Sequence, residues 1–138
     1  MTSYADDAIE IYNVLGKYGN IIDFEEWSRI PEVFADDAVF DVTATGYPAM
    51  VGLAEIVAKL PVFAGEARHF HLHMTTSPVI ERLDGDTAHV RSRVVAVHID
   101  RCVDSGLYDD HFVRGANGWR IAKRTTIPMK VPARDSAA

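Results

Sequence analysis

The N-terminal half of the chain carries most of its apolar residues at helical spacing. Downstream of Ser3 or Asp6, either of which suits an N-cap, apolar side chains recur three and four positions apart. This pattern predicts an amphipathic first helix that ends near Gly19 and Asn20. A second stretch with the same spacing covers residues 52–63 and predicts another helix.

Shorter elements are expected between these two helices. Asp23 is placed to cap a short helix over residues 23–30, and Pro31 suits the first turn of a further helix over residues 31–37. Apolar residues from Val39 onward then predict a strand, which Gly46 and the following residues break.

The C-terminal half alternates between apolar and polar residues instead. Residues 67–83 and 87–103 are long, β-branched stretches, and the Asp-Gly-Asp sequence between them is typical of a hairpin turn. Two more strands are expected over residues 107–114 and 119–129. Helices followed by an antiparallel meander predict an α+β fold, with the helices on one face of a strongly curved sheet and a small-molecule pocket between them.

Composition narrows the possible functions. The 138 residues favour one domain over residues 1–130 with a polar tail at 131–138. The net charge of −6 argues against nucleic acid as a partner, and the single cysteine excludes an intramolecular disulfide. No apolar stretch reaches the ~18 residues that span a bilayer, and the first residues lack a signal-peptide pattern, so no membrane and a cytoplasmic location are expected.

Three histidines alternate with apolar residues in the sequence Arg-His-Phe-His-Leu-His-Met at 68–74. On a strand, His69, His71 and His73 would share one face, with His69 and His73 ~13 Å apart. Ligands ~2.1 Å from one ion cannot span that distance, so we expect no metal here. The imidazoles then either lie at a solvated edge or line a polar pocket.

The residues around this stretch form two ordered motifs. The first has a Tyr, an Asp five positions later, a Trp, and a closing Val-Phe-x-x-Asp-Ala-Val-Phe, which are Tyr18, Asp23, Trp27 and residues 33–40. The second runs from His73 through an Ile-Glu pair to an acidic-glycine turn and an Ala-x-Val strand opening.

A third motif completes the order near the C-terminus, with Tyr108 and Asp110 followed by Gly-Trp-Arg-Ile at 118–121 and then Arg124. Together the three motifs resemble the NTF2-like superfamily and, within it, the SnoaL-like branch. The resemblance implies a cone-shaped, mostly antiparallel sheet of the NTF2-like or cystatin-like kind, roofed by N-terminal helices. The superfamily includes dehydratases, dehydrochlorinases, isomerases and non-catalytic binders, so the fold alone does not give the function.

The resemblance also implies four catalytic residues. Dehydratase and dehydrochlorinase members use an Asp–His dyad, which matches Asp23 and His73. An Arg and a Tyr of those members match Arg124 and Tyr18. A neutral His can remove a proton next to a carbonyl, a carboxylate orients it, and Arg or Tyr can meet the developing negative charge.

Each of these residues has a structural alternative. Asp23 could be a helix cap, Tyr18 plain core, and Arg124 a surface cation on a strand. His71 lies on the same predicted face as His73, so a two-residue register shift at Pro78 would make His71 the base instead.

The pocket wall is expected to include a second set of substrate-binding residues. Small Ala96 leaves room in a cavity, His98 on the same strand face offers a polar group, and large aromatic side chains suit core or pocket wall. The predicted substrate-binding residues are His71, Phe40, Trp27, Ala96 and His98. Tyr108 and Asp110 are expected to make a structural hydrogen bond.

We therefore expect a cofactor-independent lyase or isomerase that acts on a small apolar ring compound such as a steroid, polyketide or aromatic-like molecule. No glycine-rich phosphate loop suggests a nucleotide. One alternative is a non-catalytic ligand-binding or dimerisation module, since Val95, Val97 and Ile99 on the non-pocket face favour a homo-oligomer, either a dimer or a trimer. A second alternative is the small subunit of a ring-hydroxylating dioxygenase.

Overall fold

The computed structural model describes residues 1–66, 70–99 and 102–129, apart from the side chains of Glu66, Phe70 and His71. Helix α1 spans Tyr4–Asp23 and begins at a capping box, in which Ser3 accepts from the Asp6 backbone and Asp6 accepts from the Ser3 backbone. The helix runs past its predicted end because Gly19 is buried inside it rather than terminating it. No helix among the described residues has the length and apolarity needed to cross a membrane.

The segment after α1 differs from the sequence prediction. Asp23 is the last residue of α1, and its carboxylate accepts from the backbone of His73 rather than capping a second helix. Pro31 lies inside a 3-10 helix, Trp27–Glu32, whose N-cap is Glu26. The helix predicted over residues 31–37 is wrong, because strand β1 spans Phe34–Asp41. An irregularity between Phe34 and Val39 leaves the intervening acidic pair exposed. This irregularity breaks the alternation of apolar and polar residues, so the sequence pattern does not predict that β1 begins at Phe34.

The remaining elements follow the predicted order. They are β2 (Met50–Val51), α2 (Leu53–Glu66), β3 (Phe70–Asp84), β4 (Thr87–His98), β5 (Val103–Gly115) and β6 (Gly118–Pro128). Helix α2, the turn between β3 and β4, and the long antiparallel meander are therefore confirmed. In the described part of the chain, six strands form one curved sheet in the order β2-β1-β6-β5-β4-β3, and among these strands only the β1–β6 pair is parallel.

The two faces of the sheet differ in polarity. On β4, alternate residues from Ala88 to Ala96 are buried toward the helices, whereas the residues between them point to the outer face. That outer face carries half-exposed apolar side chains, including Leu72 and Met74, together with charged residues. The core and the inner space therefore lie between the sheet and helices α1 and α2.

Helix α1 approaches β3 most closely at Gly19. A Cβ atom at Gly19 would lie 2.9 Å from the backbone oxygen of His73, closer than side chains are found to pack. Glycine therefore allows the last turn of α1 to rest directly on the β3 backbone. Gly16, one turn earlier, has no atom within 4 Å of the corresponding position.

We expect alanine substitutions at these two glycines to have opposite effects on the free energy of unfolding. Gly19→Ala forces the helix off the strand and should destabilise the protein by about 1–3 kcal/mol. Gly16→Ala removes a flexible residue from an exposed helical position and should stabilise it by about 0.5–1 kcal/mol. Urea denaturation of both variants measures the difference. Equal effects would show that α1 does not depend on close contact with β3.

Candidate active site

The structure brings Asp23 and His73 together at the junction of α1 and β3. The backbone N–H of His73 lies 2.9 Å from Oδ1 and 3.0 Å from Oδ2 of Asp23. The imidazole Nδ1 of the same histidine lies 3.3 Å from Oδ1 of Asp23. One carboxylate therefore holds both the main chain and the ring of His73, and both side chains are nearly buried, at 11% and 10% exposed.

The register of β3 explains why His73 occupies this position. His73 pairs with Ala96 on β4, and the irregularity associated with Pro78 falls between Thr76 and Val79, on the hairpin side of the histidine. Ser77 within this irregularity has a φ of 51°, so the bulge that the proline suggested is present. It lies beyond the stretch that faces α1 and leaves His73 opposite Asp23. The side chain of His71 lies outside the described residues, as does all of His69.

The environment of His73 favours the neutral imidazole. Burial lowers its pKa below the ordinary value, and the neighbouring His98 lowers it further. The hydrogen bond and negative charge of Asp23 raise the pKa in opposition, but burial prevails. A neutral ring with Nδ1–H directed at a carboxylate carries its basic lone pair on Nε2.

His73 lines a cavity of about 350 Å³ between the helices and the inner face of the sheet. Apolar side chains from α1, β1, α2 and β4 make most of its wall, for example Ile22, Phe40, Leu60 and Val94. The volume falls near the lower end of the ~300–1,000 Å³ typical of small-molecule sites. The cavity is therefore suited to a small, largely apolar compound.

A buried ion pair lies behind the aromatic part of this wall. Arg124 Nε and Nη2 donate to the two carboxylate oxygens of Asp110, each at 2.8 Å, and both side chains are fully buried. The guanidinium carbon lies 4.4 Å from the ring centre of Tyr18 and 3.9 Å from that of Tyr108. The two tyrosines line the cavity, so they separate the Arg124 cation from it.

Burial keeps the two tyrosines protonated. Burial raises the pKa of Tyr18 and of Tyr108, although the Arg124 charge acts against it. Burial alone would lower the pKa of Arg124, but the Asp110 carboxylate raises it, so the guanidinium remains charged. The two tyrosines lie side by side in the cavity wall, and each protonated hydroxyl can donate a hydrogen bond.

The other predicted site residues divide into two groups. Phe40 and Ala96 line the cavity with Tyr18 and His73. Arg124 and Trp27 are not part of its lining, because Arg124 lies behind the tyrosines and Trp27 packs against the core.

His98 is turned toward Asp104, with Nε2 at 2.8 Å from Oδ2. Asp104 itself lines the cavity, so the structure brings a second histidine–carboxylate pair to its edge.

Sequence reasoning missed the roles of Tyr108 and Asp104. The sequence predicts only a structural hydrogen bond for Tyr108, yet this residue lies in the cavity wall beside Tyr18, with ring centres 5.8 Å apart. The sequence does contain a signal for Tyr108, since Tyr108 and Asp110 lie on the same face of β5. Asp110 pairs with Arg124 on β6, so Tyr108 lies on the face that holds the buried ion pair. For Asp104 no comparable pattern exists, since its contact with His98 depends on how the β4–β5 connection closes.

We expect His73 to titrate below ~6.5, the ordinary histidine pKa, in the folded protein. In Asp23→Asn the pKa should fall further, because the influence that raises it is removed. Histidine NMR titration measures both, with urea-unfolded protein as the reference. As the pH falls, His73 is protonated in the unfolded chain before it is protonated in the folded chain. The stability that depends on neutral His73 is therefore fully present above pH ~6.5 and is lost as the pH falls toward the folded pKa. A higher pKa in Asp23→Asn would contradict this electrostatic account.

Comparisons with known proteins agree with the fold. The sequence model of the SnoaL-like domain matches residues 3–125. An uncharacterised protein of Mycobacterium tuberculosis, Rv2910c, is 33% identical over 130 residues, covering 86% of this chain and 82% of the relative.

Two solved structures share the arrangement of helices and strands. The Kfla4162 protein of Kribbella flavida superposes with a TM-score of 0.77 at 27% identity, covering 93% of this chain and 94% of the other. A Novosphingobium aromaticivorans protein, provisionally assigned as an aromatic ring hydroxylase, gives 0.79 at 25% identity and covers 94% of both chains. The fold is the NTF2-like, cystatin-like cone. With its whole core inside the matched region, the chain belongs to the SnoaL-like family.

Proposed function

We propose that this protein is a cofactor-independent lyase or isomerase that removes a proton from a small, largely apolar ring compound carrying a carbonyl group. The observation that supports the proposal is the Asp23–His73 pair at the wall of an apolar cavity. SnoaL-like proteins include dehydratases and isomerases, and both activities need one positioned base.

In the proposed reaction, His73 acts as the general base. Its neutral imidazole takes a proton from the carbon next to the carbonyl, and the C–H electron pair moves into a new C=C bond. The carbonyl π electrons move to oxygen and give an enolate. Asp23 accepts a hydrogen bond from the ring and stabilises the imidazolium that forms, as its contact with Nδ1 allows.

The tyrosine pair would stabilise the enolate oxygen. Tyr18 and Tyr108 line the same cavity as His73, so a molecule bound there would lie next to both the base and the tyrosines. The Arg124 cation behind the rings makes the tyrosine hydroxyls stronger donors without touching the substrate. Arg124 and Asp110 are therefore positioning residues in this proposal.

The enolate then has two possible fates. In a dehydratase the enolate oxygen re-forms the carbonyl, and the electron pair of the enolate C=C bond forms a new double bond to the β-carbon. The C–O bond to the β-hydroxyl breaks, and His73 returns its proton so that the hydroxyl leaves as water. In an isomerase the proton returns to a different carbon atom. Both begin with the same proton removal, which a single experiment can follow.

We expect the protein to speed deuterium uptake from D₂O at the carbon next to the carbonyl in cyclic ketones of one to three rings. His73→Ala should lower this rate by ~10²–10⁴-fold, the usual contribution of a positioned general base. Asp23→Asn should also lower it. Met74→Ala is the matched control, because Met74 is the next residue on β3 and is 43% exposed. NMR measures the exchange, and a thermal shift reports ketone binding separately.

Two results in this experiment would contradict the proposal. A ketone that binds but exchanges at the buffer rate would identify a non-catalytic ligand-binding module instead. Equal rates in wild type and His73→Ala would assign the base to another residue.

Tyr108→Phe, which removes one hydroxyl from a residue of the cavity wall, should slow exchange while leaving binding of the ketone largely intact.

We also propose that the chain forms a homo-oligomer through the outer face of its sheet, since the NTF2-like fold commonly oligomerises. Leu72 pairs with Val97 and Met74 with Val95 across β3 and β4 on this face, and both β3 side chains are over one-third exposed. Val95→Glu should shift the sedimentation coefficient toward that of a monomer, because a charge would be buried in the interface. The matched control is Arg93→Glu, which places the same side chain on this face but outside the apolar group. An unchanged coefficient in Val95→Glu would place the interface elsewhere.

A further inference from the structure

A second cluster of chemically active side chains lies on the outer face of the sheet, away from the cavity. His89 on β4 and His111 on β5 are direct cross-strand partners. Asp109 is two residues before His111, so its side chain emerges on the same face of β5. The inward-facing neighbours Val90 and Asp110 are fully buried, which confirms that the cluster faces outward.

The three side chains converge to within ligand spacing. His89 Nε2 lies 2.7 Å from Asp109 Oδ1, and His111 Nε2 lies 4.0 Å from the same oxygen. One ligand atom from each residue falls within a set separated by no more than 4.8 Å. Ligands that sit ~2.1 Å from one tetrahedral ion are ~3.4 Å apart. The rings of His89 and His111 are stacked with their centres 4.8 Å apart, so side-chain rotations that tilt the two rings toward each other would bring the three ligands around a single ion.

The surrounding charges leave the Asp109 carboxylate directed at the histidines. Arg91 is the cross-strand partner of Asp109, yet its guanidinium pairs with Glu81 at 3.6 Å instead. Lys123 lies opposite His111 on β6, and its charge acts on Asp41 on the neighbouring strand. Within the described part of the chain, the Asp109 carboxylate contacts the side chains of the two histidines.

We propose that His89, Asp109 and His111 bind one borderline divalent transition-metal ion, for which Zn²⁺ is the probe. Two imidazoles and one carboxylate form a ligand set that suits Zn²⁺, Cu²⁺ or Ni²⁺ better than Mg²⁺ or Ca²⁺. Three protein ligands leave a fourth tetrahedral position for water or another ligand. The bound ion would link β4 to β5 on the face opposite the cavity. It would therefore stabilise the sheet and take no part in the proton removal at His73.

Isothermal titration of the full-length protein with ZnCl₂, in buffer containing excess Mg²⁺, tests this site. We expect one Zn²⁺ per chain. His89→Ala, Asp109→Asn and His111→Ala should each weaken binding by more than the ~10–100-fold typical of losing an outer-shell partner. Zn²⁺ should raise the melting temperature of the wild type and have little effect on the three variants, because an ion that binds only the folded chain stabilises it.

Histidine substitutions outside the cluster provide the controls. His98→Gln and His73→Gln remove imidazoles on the cavity side and should leave Zn²⁺ affinity unchanged. Co²⁺ in place of Zn²⁺ should give the visible absorption of a tetrahedral site in the wild type and lose it in His111→Ala. Circular dichroism checks that Asp109→Asn, His89→Ala and His111→Ala are folded. Zn²⁺ affinity that survives in His89→Ala and His111→Ala, or that disappears in His73→Gln, would overturn the proposal, as would the absence of binding at millimolar Zn²⁺.

Discussion

The contact between the end of helix α1 and a single residue of β3 determines the geometry of the site. Gly19 lets the helix approach the backbone oxygen of His73, and Asp23, one turn later, binds the backbone N–H of the same residue. The carboxylate that fixes the strand also orients the imidazole. Fold and proposed chemistry therefore depend on one interaction, and a change that separates α1 from β3 affects both.

The second constraint is the charge buried behind the cavity wall. An ion pair taken out of water is costly and is weak evidence for stability, even with the two-pronged geometry of Arg124 and Asp110. Its position suggests another role, because the guanidinium lies against the rings of both cavity tyrosines. A cation held there needs no rearrangement when negative charge develops on a bound substrate, which is the condition for electrostatic stabilisation.

The sequence predicts much of this architecture, because long periodic segments reveal their own structure. Helix α2 and the strands from β3 to β6 follow from apolar spacing and turn residues. The pattern does not predict the structure from Asp23 to Asp37, since a helix end, a 3-10 turn and an irregular strand start have no strong period. The resemblance to SnoaL-like proteins identified Asp23 and His73, which spacing alone could not bring together because they are 50 residues apart.

The remaining differences arise from contacts that only the folded chain defines. Arg124 was expected to face the substrate, but burial and its pairing with Asp110 place it behind Tyr18 and Tyr108. The cluster of His89, Asp109 and His111 depends on the β4–β5 register, which pairs two histidines 22 positions apart along the chain. Single-strand periodicity places each residue on a face but does not identify its neighbour on the next strand.

The tautomer of His73 tests the central claim most directly. A ¹⁵N-detected NMR correlation spectrum of the imidazole at neutral pH distinguishes a protonated from an unprotonated ring nitrogen. The account predicts a proton on Nδ1, directed at Asp23, and an unprotonated Nε2 that can act as a base. A proton on Nε2 with an unprotonated Nδ1, or a doubly protonated ring at pH 7, would show that Asp23 does not orient His73 for proton removal.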